Sequence, residues 1–299
     1  MLLVSGITGH TGRYFLQELI DNNYQDPIRC IVRETSNTLL LDRSGLNIEK
    51  VVGDLNNPDF LDRVMDGVET VMHIYNIHHS QKVVQAAINH NVGRVILVHT
   101  TGIYSRFKYA SAEYKAIEEK ISSLIKDSKC SISITILRPS MIYGDICDKN
   151  ISKFIKMVDK LRILPIIDGG ESLIQPVNAK DLGAAFFKVL CLPAETNGKA
   201  YDLPGEKPVK MIDLFRLISN ELNKKTFYIN VPLSLGVFMA RILKIITIGK
   251  VDYIEKVQRM GEDRNYSHQE AVSDFDYCPM SLEQGVKIEV QQYLKERAK

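Results

Sequence analysis

Leu2-Leu3-Val4-Ser5, then Gly6-Ile7-Thr8-Gly9-His10-Thr11-Gly12, then Arg13 to Asn22 form the opening stretch on which the architecture turns. The first four residues read as a short strand, and Phe15, Leu16, Leu19 and Ile20 form an apolar stripe at helical spacing over Tyr14 to Asn22. Between strand and helix stand three glycines, each with a physical task. Gly6 allows the tight turn, Gly9 keeps the main chain bare, and Gly12 lets the helix lie close to the strand. Backbone N–H groups and the positive end of the helix then face one point in space, which suits an anion such as a pyrophosphate. The expectation is a dinucleotide site lined by Gly6, Thr8, Gly9, His10, Thr11 and Gly12, with His10 lining the groove rather than reacting.

Working outward, short β-branched runs alternate with amphipathic stretches: Leu2 to Ser5, Ile28 to Val32, Lys50 to Val52, Thr70 to Ile74, Val95 to His99 and Ile132 to Leu137. That alternation predicts an α/β fold, a Rossmann-type doubly wound parallel sheet whose ligands bind outside the carboxyl ends of the strands. After Pro139 the pattern loosens, then resumes around Gln175 to Leu192; beyond Pro193, breaks at Pro204, Gly205 and Pro208 separate small helical pieces. We therefore expect an NAD(P)-binding domain over residues 1–192, with loops 140–173 contributing to a substrate cleft, and a smaller, mainly helical substrate-binding domain over residues 193–299.

A chain of 299 residues with 45% apolar side chains can bury a sizeable core. Its 38 basic and 36 acidic residues are dispersed, so no nucleic-acid footprint is visible. The five cysteines, Cys30, Cys130, Cys147, Cys191 and Cys278, stand far apart, without CxxC pairing or metal-ligand spacing. They read as reduced thiols in a cytoplasmic protein, and no metal is expected. The most apolar later segment, Leu233 to Ile248, is interrupted by Arg241 and Lys244 and is short for a bilayer span, so a buried or amphipathic helix is expected there.

At the end of the second strand an NAD site usually offers a carboxylate to the ribose 2′-hydroxyl, whereas this chain has Arg33 followed by Glu34. Arg33 suits a 2′-phosphate, with Arg13 as a second cation, which favours NADP slightly over NAD; two solvated arginines are the plainer alternative. After the third strand, Asp54 is placed to accept from the adenine amino group and Leu55 to cover the ring. A helix cap ahead of Asp59 to Met65 is an equal reading of Asp54.

GITGHTG, GDL at Gly53 to Leu55, TTGIY at Thr100 to Tyr104, RPSMIYG at Arg138 to Gly144 and QPVNAKDL at Gln175 to Leu182 together resemble the extended and atypical short-chain dehydrogenases/reductases, which include NAD-dependent epimerase/dehydratase proteins. The resemblance implies that Pro139, Ser140 and Ile142 lie near the nicotinamide and that the carboxyl-terminal part closes over a substrate, often a nucleotide sugar. It also implies a Ser or Thr, a Tyr, and a Lys four residues after the Tyr; a phenol of ordinary pKa about 10 is lowered by the lysine so that it can exchange a proton while hydride moves. Thr100 fits the first role and Lys115 the last, but the tyrosine position is Ser111. A serine hydroxyl is too weak an acid to replace the phenol unaided. Tyr114 adjoins Lys115 and is the third catalytic candidate, although it shares a stripe with Ile117, Ile121 and Leu124 that favours packing. Tyr75, Tyr104 and Tyr109 are further loop tyrosines, and His78 and His79 stand where an acid or base would serve.

The expected function is an NAD(P)-dependent oxidoreductase or epimerase-like enzyme acting on a nucleotide sugar or related small carbonyl compound. The alternative, motivated by Ser111, is a non-catalytic NAD(P)-binding redox sensor or structural subunit. A homo-oligomer is compatible with either.

Overall fold

A computed structural model describes residues 1–107, 109–128 and 131–298, so Cys130 lies outside the described residues. Six strands follow one another in the first half: β1 (Leu2–Ser5), β2 (Ile28–Val32), β3 (Ile48–Val52), β4 (Thr70–His73), β5 (Arg94–Val98) and β6 (Ser133–Pro139). Between them lie α1 (Gly12–Asp21), α2 (Leu39–Asp42), α3 (Pro58–Val64), α4 (Ser80–Asn89) and α5 (Ser111–Asp127). All six expected strands are present, with ends shifted by a residue or two where fraying hydrogen bonds decide the boundary.

The second half contributes β7 (Ile142–Tyr143), α6 (Ile151–Lys160), β8 (Ile163–Ile167), β9 (Leu173–Ile174), β10 (Val177–Asn178), α7 (Ala179–Cys191), α8 (Pro193–Thr196), β11 (Ala200–Leu203), β12 (Val209–Lys210) and α9 (Met211–Glu221). It ends with β13 (Phe227–Val231), α10 (Leu233–Ile246), α11 (Ile254–Met260), α12 (Gln269–Phe275) and α13 (Leu282–Arg297).

The main sheet has seven strands in the order β11-β6-β5-β4-β1-β2-β3, every pair parallel. From β1 the chain winds outward through β2 and β3, then returns to place β4 on the other side. The order therefore reverses between β1 and β4, and there the carboxyl ends open a crevice. All four residues of β1 are buried because helices cover both faces. One face packs on α1, α7 and α12 through Phe15, Leu16, Leu19, Phe186 and Phe275. The other packs on α3, α4 and α5 through Phe60, Val83, Val84 and Ile121. Gly183 makes the α1–α7 contact possible, since a Cβ there would sit 2.6 Å from the Tyr14 carbonyl carbon.

The seventh strand comes from beyond residue 192, the boundary read from the sequence, and α12 too packs on the main core. A buried cation ties this edge together. Arg94 donates to the carbonyls of Leu190 (2.9 Å) and Val189 (2.6 Å) and to Thr196 Oγ1 (2.8 Å), so the end of α7 and the turn into β11 are held by one guanidinium.

A separate apolar cluster gathers Tyr143, Ile151, Ile155, Leu164, Ile166, Leu214, Phe215, Val286 and Val290, drawn from three distant stretches. This lobe overhangs the carboxyl edge of the sheet. Its last helix closes it: a Cβ on Gly285 of α13 would lie 2.7 Å from the Tyr143 ring, and Glu289 on the same helix accepts from Gly144 N at 3.2 Å. No helix among the described residues is long and apolar enough to cross a membrane.

Candidate functional site

A cleft of about 640 Å³ lies at the switch point, lined by Gly6, Thr8, Gly9, His10, Thr11 and Gly12 together with Arg33, Asp54 and Leu55. Gly6 has φ of +82°, and an added Cβ would meet Tyr75 N at 2.8 Å. At Gly12 a Cβ would fall on the Gly6 carbonyl oxygen and 2.7 Å from Ile7 Cα. The main-chain N–H groups of His10, Thr11 and Gly12 make no backbone hydrogen bond among the described residues, which leaves donors at the start of a ten-residue helix facing the cleft.

Arg13 does not face this cleft. Its guanidinium pairs with Asp145, which also accepts from Tyr14 Oη at 3.0 Å and lies 3.2 Å from His10 Nε2. The expectation of Arg13 as a second cation for a 2′-phosphate is therefore corrected: a nearby buried carboxylate outcompetes an open cleft for the charge. Burial, then Arg13, lowers the pKa of His10. Arg33 lines the cleft, its main-chain N–H held by Ser36 Oγ at 3.0 Å, and its side chain forms no ion pair among the described residues.

Asp54 is not a helix cap. Asn57 caps α3, accepting from Asp59 N at 3.0 Å and Phe60 N at 3.3 Å, while Asp54 Oδ1 accepts from Asn56 N at 2.9 Å and Asn56 Nδ2 at 3.1 Å. The carboxylate is thus fixed in an Asx turn on the cleft wall. The opposite rim is held from below. His73 Nε2 donates to the Asn76 carbonyl (3.1 Å), so Nδ1 is the acceptor for Ser5 Oγ (2.6 Å). Burial lowers His73 to about 4, so this tautomer persists at neutral pH. Above it, Tyr75 and His79 stack at 5.3 Å, and burial lowers His79 as well.

A second cavity of about 290 Å³ lies over the ends of β5 and β6, and its wall includes Thr100, Thr101, Ser140, Ile142, Arg264 and Tyr266. Thr100 Oγ1 accepts from Gly102 N at 3.0 Å, which caps the turn Thr101–Tyr104. Ser111, at the expected tyrosine position, is buried and donates to the Ile103 carbonyl at 3.1 Å, fastening that turn to α5. Pro139 is buried behind the wall with its carbonyl accepting from Thr101 Oγ1 (3.3 Å), and Ser140 Oγ donates to the Gln175 carbonyl at 2.5 Å.

Lys115 and Tyr114 are not part of this wall. Lys115 is exposed on α5. Tyr114 is not in the core with Ile121, as its stripe suggests, but has its ring 5.6 Å from that of His78, whose Nδ1 is 2.9 Å from Glu113 Oε1. Tyr109 is exposed. Tyr104 is committed elsewhere: it donates to Asp202 Oδ1 at 3.1 Å and accepts from Arg138 at 3.3 Å, and burial pushes its hydroxyl up to about 12.

Several residues with no local signature prove central. Beneath Thr100, Glu118 receives Arg138 Nε (3.0 Å), Arg138 Nη2 (2.6 Å) and His99 Nδ1 (2.9 Å), and His99 Nε2 meets Ser80 Oγ at 3.0 Å. Burial would raise Glu118, but the hydrogen bonds from His99 and Arg138 outweigh it and hold the carboxyl at about 2. Tyr266 brings a phenol into the second cavity, where burial raises its pKa while Thr101 and Arg264 oppose the rise. Arg259 and Arg264 add two guanidinium groups whose Nε atoms are buried without a hydrogen-bond partner, and burial lowers Arg264 to about 10. Among the described residues, no carboxylate lines this cavity.

A glycine turn under a helix N-terminus at the switch point of a seven-stranded parallel sheet, with an overhanging lobe, defines an NAD(P)-binding protein of Rossmann fold. Residues 6–155 match the NAD(P)H-binding family model, and the chain belongs to that family. Over 99% of the chain the fold matches a UDP-glucose 4-epimerase from Thermotoga maritima, crystallised with UDP-glucose (TM-score 0.74, 16% identity, 99% of that chain). A dTDP-glucose 4,6-dehydratase from Streptomyces venezuelae, solved with NAD, matches similarly (TM-score 0.75, 19% identity, 100% of this chain and 98% of that one). These identities carry the fold alone. In sequence, 79% of the chain is 25% identical to the Arabidopsis thaliana mitochondrial NADH dehydrogenase [ubiquinone] 1 alpha subcomplex subunit 9, of which it spans 61%.

Proposed function

We propose that this protein is an NAD(P)-dependent oxidoreductase or epimerase-like enzyme acting on a nucleotide sugar or related small carbonyl compound, with Tyr266 in place of the missing helical tyrosine. The supporting observation is the Tyr266 phenol in the same cavity wall as Thr100 and Thr101, over the carboxyl ends of β5 and β6. The pyrophosphate rests on the N–H groups of His10, Thr11 and Gly12, Asp54 and Leu55 hold adenine, and Arg33 faces the ribose 2′-position, with NADP preferred. Ser140 and Ile142 border the nicotinamide, and Pro139 sits behind them. When bound, the nicotinamide supplies or accepts hydride. Thr100 uses a lone pair on Gly102 N, so its O–H is free to donate to a substrate oxygen. Tyr266 moves the proton, and the Arg264 guanidinium opposes the burial that raises its phenol. Lys115, exposed on α5 and free of ion pairs among the described residues, is the chain's candidate for the cofactor's ribose hydroxyls, with Tyr114 beside it in sequence. Arg259 and Arg264, facing a cavity without a carboxylate among the described residues, take the anionic part of the substrate.

The test is turnover of a panel of UDP-, GDP- and dTDP-sugars by protein loaded with NAD(P)H, followed by cofactor absorbance. Tyr266→Phe is expected to lower turnover by about 10² to 10⁴ while leaving cofactor affinity unchanged. Full activity in that variant defeats the assignment of Tyr266.

Ser111 and the exposed Lys115 favour a second reading, a cofactor-binding structural or redox-sensing subunit, as the name of the plant relative suggests. In that case NAD(P)H raises the unfolding temperature and no sugar or carbonyl compound alters its absorbance.

A further inference from the structure

Helix α10 carries a surface that the cofactor chemistry does not use. Gly236 in its first turn packs on Ile167 at the end of β8, with an added Cβ only 2.6 Å from Ile167 Cδ1. Further along the helix, Met239, Leu243 and Ile246 line a groove with Pro165 and Ile167 of β8 and Val231 of β13, so α10 lies across these two strands and its carboxyl end stands clear of the sheet edge. There the large apolar side chains face outward: Ile245 is 76% exposed, Ile246 72%, Ile248 89% and Phe227 69%. Ile163 and Ile229 extend the same apolar surface across the two strands.

The charges around this tip have one sign. Lys160, Arg162, Lys225, Arg241 and Lys250 are exposed and form no ion pair among the described residues. Of the acids in the same segments, Asp252 is neutralised by Lys244 at 2.7 Å and Asp159 by Lys224 and by Arg297 at 2.7 Å, which leaves Glu221 alone against the unpaired cations. A water-facing tip of isoleucines inside a cationic ring costs hydration free energy and repels itself, so it calls for a cover that is apolar within and anionic at its edge. A second copy of this face would set like charge on like charge. A bilayer carrying acidic headgroups satisfies both demands, and α10, at fourteen residues, is short enough to lie in its interface rather than cross it.

We infer that this end of the overhanging lobe docks on an anionic phospholipid surface, with Ile245, Ile246 and Ile248 inserted below the headgroups and the surrounding lysines and arginines on the phosphates. The inference stands apart from the catalytic reading, because none of these residues lines either cavity at the sheet edge.

The full chain is to be sedimented with vesicles of phosphatidylcholine alone and of phosphatidylcholine mixed with phosphatidylglycerol, at low and high salt. Binding is expected only to the phosphatidylglycerol vesicles, and salt should weaken it. Ile245→Asp/Ile246→Asp should weaken it by about tenfold or more, and Arg162→Glu/Lys250→Glu by about fivefold per cation removed. Both variants alter exposed residues, and an unchanged unfolding temperature and cofactor affinity will show that each is folded. Failure to bind phosphatidylglycerol vesicles overturns the inference. So does undiminished binding by Ile245→Asp/Ile246→Asp, or a dimer in sedimentation equilibrium that this variant dissolves, which would make a second copy the cover.

Discussion

Arg138 grips Glu118 through two parallel hydrogen bonds, Nε at 3.0 Å and Nη2 at 2.6 Å, and so locks the end of β6 to the middle of α5 directly under Thr100. Fork-to-carboxylate pairs of this kind fix direction as well as distance. Glu118→Gln should cost about 3 kcal/mol at neutral pH, because Arg138 is left in a largely buried site with a weaker partner. The carboxyl is depressed to about 2, below its ordinary value near 4.5, so its contribution is complete above about pH 4.5 and fades as pH falls towards 2. Denaturant melts of both proteins from pH 7 down to 2.5 check this: the gap between them should narrow in acid.

Glu289 has the opposite sign. Burial first, then the neighbouring Asp148, raises it from about 4.5 to about 9, so the folded protein keeps a proton that the unfolded chain releases. Stability from this group is complete below about pH 4.5 and is lost as pH rises through 9. Glu289→Gln, which still offers an oxygen to Gly144 N, should match the parent near pH 5 and unfold at a higher temperature than the parent at pH 9. A parent protein that melts equally at both values, in step with the variant, contradicts the assignment.

The glycine turn gives a contrast within one molecule. Gly12→Ala sets a methyl group on the Gly6 carbonyl and Ile7 Cα, main-chain atoms that cannot step aside, so a loss of about 3 kcal/mol or more and of cofactor binding is expected. Gly45→Ala, at φ +74° with nothing within 4 Å, should cost only about 1 kcal/mol and leave binding intact. Thermal melts with and without NADPH separate the two.

Arg33→Ala addresses cofactor choice. Removing this cleft-lining guanidinium, proposed to meet a 2′-phosphate, should weaken NADPH by about tenfold and leave NADH within about twofold. Titration calorimetry with both dinucleotides measures this. Equal losses for both would remove Arg33 from 2′-phosphate recognition.

The first six strands and the glycine turn were legible because local periodicity and conformational freedom determine them. Other features depend on residues that meet only after folding. Ala200–Leu203 is four residues with no punctuation of its own, and its place beside β6 follows from pairing register and Arg94. Tyr266 and Arg264 sit in a loop whose sequence has no periodicity, and only the overhanging lobe brings them to Thr100. Arg13 shows the reverse case: its position after Gly12 suggests an anion in the cleft, yet Asp145, more than a hundred residues away, claims it. His99, Glu118 and Arg138 likewise look like three unrelated polar residues until β5, α5 and β6 align.

The lobe that roofs the cleft is completed by α13, through Gly285 on the Tyr143 ring and Val286 and Val290 in its apolar cluster. During synthesis, then, the sheet with β11, α7 and α12, and its dinucleotide turn, have emerged before the roof receives α13. A nascent chain stalled short of residue 282 should present a formed nucleotide shelf beneath an unpacked cover, which is completed only when α13 leaves the ribosome.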